Sequence, residues 1–113
     1  MSSPEEVHIL AILYAKPEKM SRLQELMQAM IKTVHDTEPH TVRYMMTKQI
    51  DTEIPAIHMI ETYKTKESAE AHTQTEHFKS LFAAFDEENI FAKPPYLAFT
   101  KIAGGFDLHH KLI

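Results

Sequence analysis

Val7-His8-Ile9-Leu10-Ala11-Ile12-Leu13-Tyr14 is a short apolar run without helical period, closed by Lys16-Pro17. It predicts a strand. Both of its faces are apolar, because Val7, Ile9, Ala11 and Leu13 alternate with His8, Leu10, Ile12 and Tyr14. A strand with one face in water alternates apolar with polar instead. This strand therefore calls for cover on both sides.

Outward from it, Pro17 suits the first turn of a helix and Glu18 the positive end of its dipole. Met20, Leu23, Leu26, Met27, Met30, Ile31 and Val34 follow at three-four spacing, with Arg22, Glu25, Gln28 and Lys32 on the wet side. That is an amphipathic helix, ended by the run His35 to Pro39. Thr41 to Gln49 and Ala56 to Tyr63 predict two strands joined through Asp51-Thr52-Glu53-Ile54-Pro55. A second helical region starts at Thr65, a cap, with Glu67 in its first turn. Thr73-Gln74-Thr75 interrupts it, and Thr75 can cap a fresh segment striped by Phe78, Leu81, Phe82 and Phe85. A last strand is expected from Tyr96 to Ala103, with Tyr96, Ala98 and Ile102 opposite Leu97 and Phe99. Residues 104–113 read as a surface arm on a core of about 7–103, all one domain over 1–113.

The order β-α-β-β-α-β predicts an α+β, ferredoxin-like domain: an antiparallel sheet with both helices on one face. The other face is sticky and has no helix left to cover it. A homodimer packed sheet face to sheet face is the expectation.

With 113 residues, 43% of them hydrophobic and 25% charged, the chain suits one folded domain. Net charge is −4 and the twelve basic residues are scattered, so nothing tracks a phosphate backbone and nucleic acid is not expected. No apolar run is long enough to cross a bilayer, so no membrane role is expected. The polar, acidic start Met1 to Glu6 is unlike a secretory signal, and with cysteine absent a cytoplasmic location is expected. The only glycines are Gly104 and Gly105, which leaves no glycine-rich phosphate loop for a Rossmann-bound nicotinamide or flavin. No cofactor and no metal are expected.

Three stretches carry a resemblance. Glu38-Pro39-His40-Thr41-Val42-Arg43-Tyr44 resembles the acidic-Pro-Gly turn and Arg-Tyr strand of the antibiotic-biosynthesis-monooxygenase family. Glu61-Thr62-Tyr63 is similar to its Glu-x-aromatic strand end. Ala71-His72, four residues, then His77-Phe78 resembles its second-helix signature. His40 departs from the family's glycine. The resemblance spans about residues 7–103 and implies a dimeric α+β barrel with a pocket between sheet and helices in each subunit. It implies activities ranging from cofactor-free oxygenation of phenols, anthrones and quinols to haem degradation and carbonyl isomerisation. Leu10, Tyr63 and Phe82 stand where the haem-degrading branch carries asparagine, tryptophan and histidine, which argues against haem.

Among single residues His72 leads, because imidazole exchanges protons near neutrality. The plain alternative is a helix-surface or core histidine bonded to Glu61. His77, five residues on, would lie about 140° around an unbroken helix from His72. The two can converge only if the Thr73–Thr75 break bends the chain, and this spacing is poor for a metal pair. Glu61 and Tyr63 share a strand face with Ile57 and Met59. Tyr63 could bond a substrate oxygen and Glu61 could orient His72, or Tyr63 could be ordinary packing. Tyr44 and Arg43 point to opposite faces, and Tyr44 is the pocket candidate. Phe78 and Phe82 are core residues that could wall a cavity beside Met59 and His77.

The resemblance, with these residues, implies a cofactor-independent monooxygenase, with molecular oxygen as co-substrate and a small electron-rich or carbonyl metabolite, from polyketide phenols to an oxylipin-type ketone. His72, Tyr63 and Glu61 would be catalytic. Tyr44, His77, Phe78, Phe82 and Met59 would bind substrate. An isomerase using the same base and a non-catalytic ligand-binding dimer are the alternatives.

Overall fold

The computed structural model describes residues 5–113, and the first four residues of the acidic start lie outside them. Strand β1 (Val7–Leu13) leads through a 3-10 turn, Pro17–Lys19, into helix α1 (Met20–Thr37). Strands β2 (Thr41–Lys48) and β3 (Ile57–Tyr63) follow, then the short helix α2 (Lys66–His72), helix α3 (Glu76–Glu87) and strand β4 (Tyr96–Thr100). The four strands form one antiparallel sheet in the order β2-β3-β1-β4. This is the expected α+β ferredoxin-like fold.

The periodicities become packing directly. Ala11 and Leu13 of β1 and Ile57 and Met59 of β3 meet the α1 stripe Met20, Leu23, Met27, Met30 and Val34, with Leu81 and Phe85 of α3 closing the core. Val7 and Ile9 pack with Tyr63 and Ala69 in a second cluster. On the opposite face Leu10, Met45 and Tyr96 stay 45–53% exposed. Three large apolar side chains on one bare sheet face are too many to be scattered exceptions.

Local chemistry sets the joints. Pro17 stands at the start of the 3-10 turn rather than in α1 itself. Thr65 caps α2 in a capping box with Ser68, its side chain accepting from the Ser68 amide. At Thr73 the chain leaves helical hydrogen bonding, and the Thr75 side chain accepts from the Phe78 amide to start α3. Helix α3 stops because Asn89 turns left-handed, with φ 51°, and the Ile90 amide reaches back to the Phe85 carbonyl.

Strand β4 ends at Thr100, three residues before the expected Ala103. Its last pair is His8 with Thr100, next to the start of β1 at Val7, so the chain beyond runs off the end of its partner. The arm is less free than the sequence implies. It closes on itself through a Phe106–Leu112 bridge, and Asp107 is tied to Arg43 at 3.1 Å.

Candidate active site

Position 38 ends α1, where the Glu38 amide caps onto the Val34 carbonyl. The bend that follows, through Pro39 and His40, turns the Glu38 carboxylate under the helical break 34 residues later. His72, last residue of α2, places Nδ1 at 2.9 and 3.0 Å from the two Glu38 oxygens. His77, second residue of α3, places Nε2 at 2.5 Å from Glu38 Oε2. Thr41 Oγ1 donates to Oε1 at 2.8 Å. The Thr73–Thr75 break thus bends the chain as required, and the histidine rings lie 6.4 Å apart.

Glu61 does not orient His72. That task falls to Glu38, because Glu61 Oε1 is taken by the Tyr63 hydroxyl at 2.6 Å. Two residues apart on one strand face, these side chains are already adjacent, and the bond between them is local. For the same reason Tyr63 offers no hydroxyl to a substrate: it is fully buried behind Glu61, and its ring packs 5.4 Å from that of His72.

Electrostatics follow from these bonds. Burial pushes the Glu38 carboxyl upward, but hydrogen bonds from His77, His72 and Thr41 outweigh it and hold the group below the ordinary value. An ionised carboxylate only accepts, so His72 Nδ1 and His77 Nε2 both carry hydrogens. In neutral His72 the basic lone pair is then on Nε2. Burial lowers the His72 pKa, and Glu38 recovers only part of that shift, so the ring is neutral at pH 7. Glu61 moves the other way: burial raises it to about 7, the Tyr63 bond offsets part of the rise, and the Glu38 charge adds to it. Burial, together with the Glu61 and Glu38 charges, drives Tyr44 far upward, so its hydroxyl stays protonated.

A cavity of about 50 Å³ lies between sheet and helices, with His72, Glu61, Tyr44, Met59, Phe78 and Phe82 in its wall. Six of the expected site residues, Tyr44, Met59, Glu61, His72, Phe78 and Phe82, therefore do share one space. His77 does not; it stands beyond Glu38. Phe78 and Phe82 stack at 4.6 Å, and Phe82 is 36% exposed at the rim. A second hollow of about 430 Å³ opens on the other side of His72, lined by Glu38, His40, Thr41, Glu67, Ser68 and Thr75 among others. His72 is in the wall of both.

Sequence reasoning missed Glu38 as a site residue, although it opens one of the quoted motifs. Its signal was present, since an acid before Pro39 needs a partner if it is held inward, but nothing local names that partner.

With this geometry in view, the family model for antibiotic biosynthesis monooxygenases matches residues 7–84. The chain belongs to that family. Among solved structures, a candidate antibiotic biosynthesis monooxygenase from Caulobacter crescentus superposes with TM-score 0.80 at 21% identity, over 88% of this chain and 92% of that one. A Methanosarcina mazei protein gives 0.77 at 20%, over 87% and 93%. A Mycobacterium tuberculosis protein gives 0.77 at 20%, over 86% and 94%. At these identities the likeness is one of fold. No curated protein matches the sequence. The match covers β1 through most of α3, so the whole Glu38–His72–His77 cluster lies within the family's own segment. Among the described residues no helix is long and apolar enough to cross a membrane.

Proposed function

We propose that this member of the antibiotic biosynthesis monooxygenase family is a cofactor-independent monooxygenase of a small metabolite with an acidic C–H or phenolic O–H. The observation that carries the reading is the Glu38–His72 pair. It fixes Nδ1–H toward the carboxylate and leaves the neutral Nε2 free as the base on a buried ring that walls an aromatic cavity.

For a methylene substrate the steps balance. His72 Nε2 takes one proton, and the carbanion gives an electron to dioxygen. The radical and superoxide combine to a peroxide, which the imidazolium protonates. Glu61, ionised in about half the molecules near pH 7, takes the second C–H proton as the O–O bond breaks. It returns that proton to the departing hydroxide, leaving a ketone and water. The electrons come from the substrate, which does the work a flavin would otherwise do. Among the described residues no side chain bonds the Tyr44 hydroxyl, and it can donate to the developing oxyanion. At about 50 Å³ the closed cavity suits dioxygen or water rather than a ring. Substrate entry therefore requires Phe82 to swing outward from its half-exposed position.

The same reading includes a second copy of the chain on the bare sheet face, where Leu10, Met45 and Tyr96 lie exposed. An isomerase would use the same His72 base and return the proton to a neighbouring carbon without oxygen.

Oxygen uptake by metal-stripped protein on anthrones, hydroquinones and cyclic ketones tests the proposal. Uptake without added cofactor that falls by at least ~100-fold in His72→Asn is the expected result. Product without oxygen uptake would establish the isomerase instead. Uptake unchanged in His72→Asn would sink the role of the base.

A further inference from the structure

The Glu38–His72–His77 cluster has a capacity that the oxygenase reading does not use. One carboxylate oxygen and one nitrogen from each imidazole all lie within 4.8 Å of one another. We propose that these three side chains bind a first-row divalent cation such as Zn²⁺, and that the cation switches His72 off as a base. The site goes beyond the proposed function and does not depend on it; only the switch rests on His72 being the base.

Two imidazoles and a carboxylate are an ordinary ligand set for such ions. A cation ~2.1 Å from each ligand atom holds neighbouring ligands about 3.0–3.4 Å apart. The His72 Nδ1 to Glu38 contacts are already 2.9 and 3.0 Å, and the His77 Nε2 contact is 2.5 Å. To admit the ion the His77 contact would open by about 0.5–0.9 Å, and the two imidazole nitrogens, within 4.8 Å of each other, would settle at the same spacing. The frame is held from three elements. Thr41 bonds the carboxylate, Tyr44, Tyr63 and Phe78 pack around the His72 ring, and the Thr75 cap sets the start of the helix that carries His77. Access exists from the outer hollow, which reaches Glu38 and His72 and has Glu67 in its wall.

The switch is a matter of where one hydrogen sits. Without metal, Nδ1 of His72 carries the hydrogen and Nε2 the lone pair that faces chemistry. A cation on Nδ1 needs the lone pair there. The hydrogen must then be on Nε2, and the ring keeps its overall charge but can no longer accept a proton. His77 undergoes the corresponding exchange, with its hydrogen moving from Nε2 to Nδ1. No proton is consumed in the sum, and the anionic carboxylate offsets one of the cation's two charges.

The test uses the full chain stripped of metal. Zn²⁺ binding is followed by calorimetry, Co²⁺ binding by its visible absorption, and the His72 tautomer by imidazole ¹⁵N shifts. Expected are one cation per chain, affinity reduced at least ~10-fold in both Glu38→Gln and His77→Gln, and transfer of the His72 hydrogen from Nδ1 to Nε2 on saturation. His77 is partly exposed at the start of α3, so its glutamine variant tests the site without emptying the core. Absence of binding in the wild type, or binding unchanged in both variants, would overturn the site. A hydrogen that stays on Nδ1 at saturating Zn²⁺ would overturn the switch. All three readouts are taken without substrate, so failure of the oxygenase assay is a separate result.

Discussion

At the scale of single residues, two carboxyl groups, one bonded to His72 and one sharing its cavity wall, are driven in opposite directions. Glu38 is half-buried but surrounded by donors, and stays ionised. Glu61 is buried with one tyrosine hydroxyl for company and rises to about 7 from an ordinary 4.5. A carboxyl whose folded pKa exceeds its unfolded value favours folding fully below the unfolded value, and loses that advantage as pH climbs to the folded one. Stability should therefore fall between about pH 4.5 and 7, by on the order of 3 kcal/mol from this residue. Glu61→Gln, which can still accept from Tyr63, should flatten that slope in denaturant melts run across the same range. At His72 the lowered pKa places the rising limb of kcat/KM below 6.5. Glu38→Gln should move the limb still lower or remove it, since an amide holds no charge to support the imidazolium and an amide nitrogen can face Nδ1 the wrong way. A pH–rate profile decides this, and an unmoved limb would mean that Glu38 does not control the base.

At the scale of elements, the site depends on a helix being broken at the right place. Threonine does this at both joints. Thr65 starts α2 and Thr75 restarts the chain as α3. Thr75→Ala should cost about 1 kcal/mol from the lost cap, and it should also loosen His77 from Glu38. The expected signature is a modest fall in Tm together with a changed His77 imidazole shift. At the far end of α3, Asn89 is left-handed at φ 51°. Asn89→Gly should be neutral or slightly stabilising, while Asn89→Val should cost on the order of 1–2 kcal/mol, because a β-branched side chain crowds that conformation. Denaturant midpoints of the two variants check the difference. These joints were legible beforehand: Thr65, the Thr73–Thr75 interruption and the fresh cap at Thr75 are local signals read from neighbouring residues. The length of β4 was not, because where a strand stops is set by where its partner begins, and His8 lies 92 residues from Thr100.

At the scale of the molecule, a four-stranded sheet has helices on one side only, and its other side carries Leu10, Met45 and Tyr96 largely in the open. Sedimentation of the purified chain should give twice the monomer mass, and Leu10→Glu with Met45→Glu should return it to one. A monomeric wild type would leave this face for some other partner. The double apolar alternation of β1 was enough to expect this surface, and the three-four stripe of α1 was enough to name the core against which β1 packs. Those are properties of period, and period is written along the chain. What the chain could not name by itself was who pairs with whom. Glu61 seemed the natural partner of His72, yet it is satisfied two residues away by Tyr63, and Glu38 arrives from the end of α1. His72 and His77 converge on it only because a three-residue break redirects a helix. Hydrogen bonds between groups tens of residues apart depend on distances that only packing sets. The sequence alone therefore determined the elements, their order and the residues able to do chemistry, and the tertiary structure decided which of those residues meet.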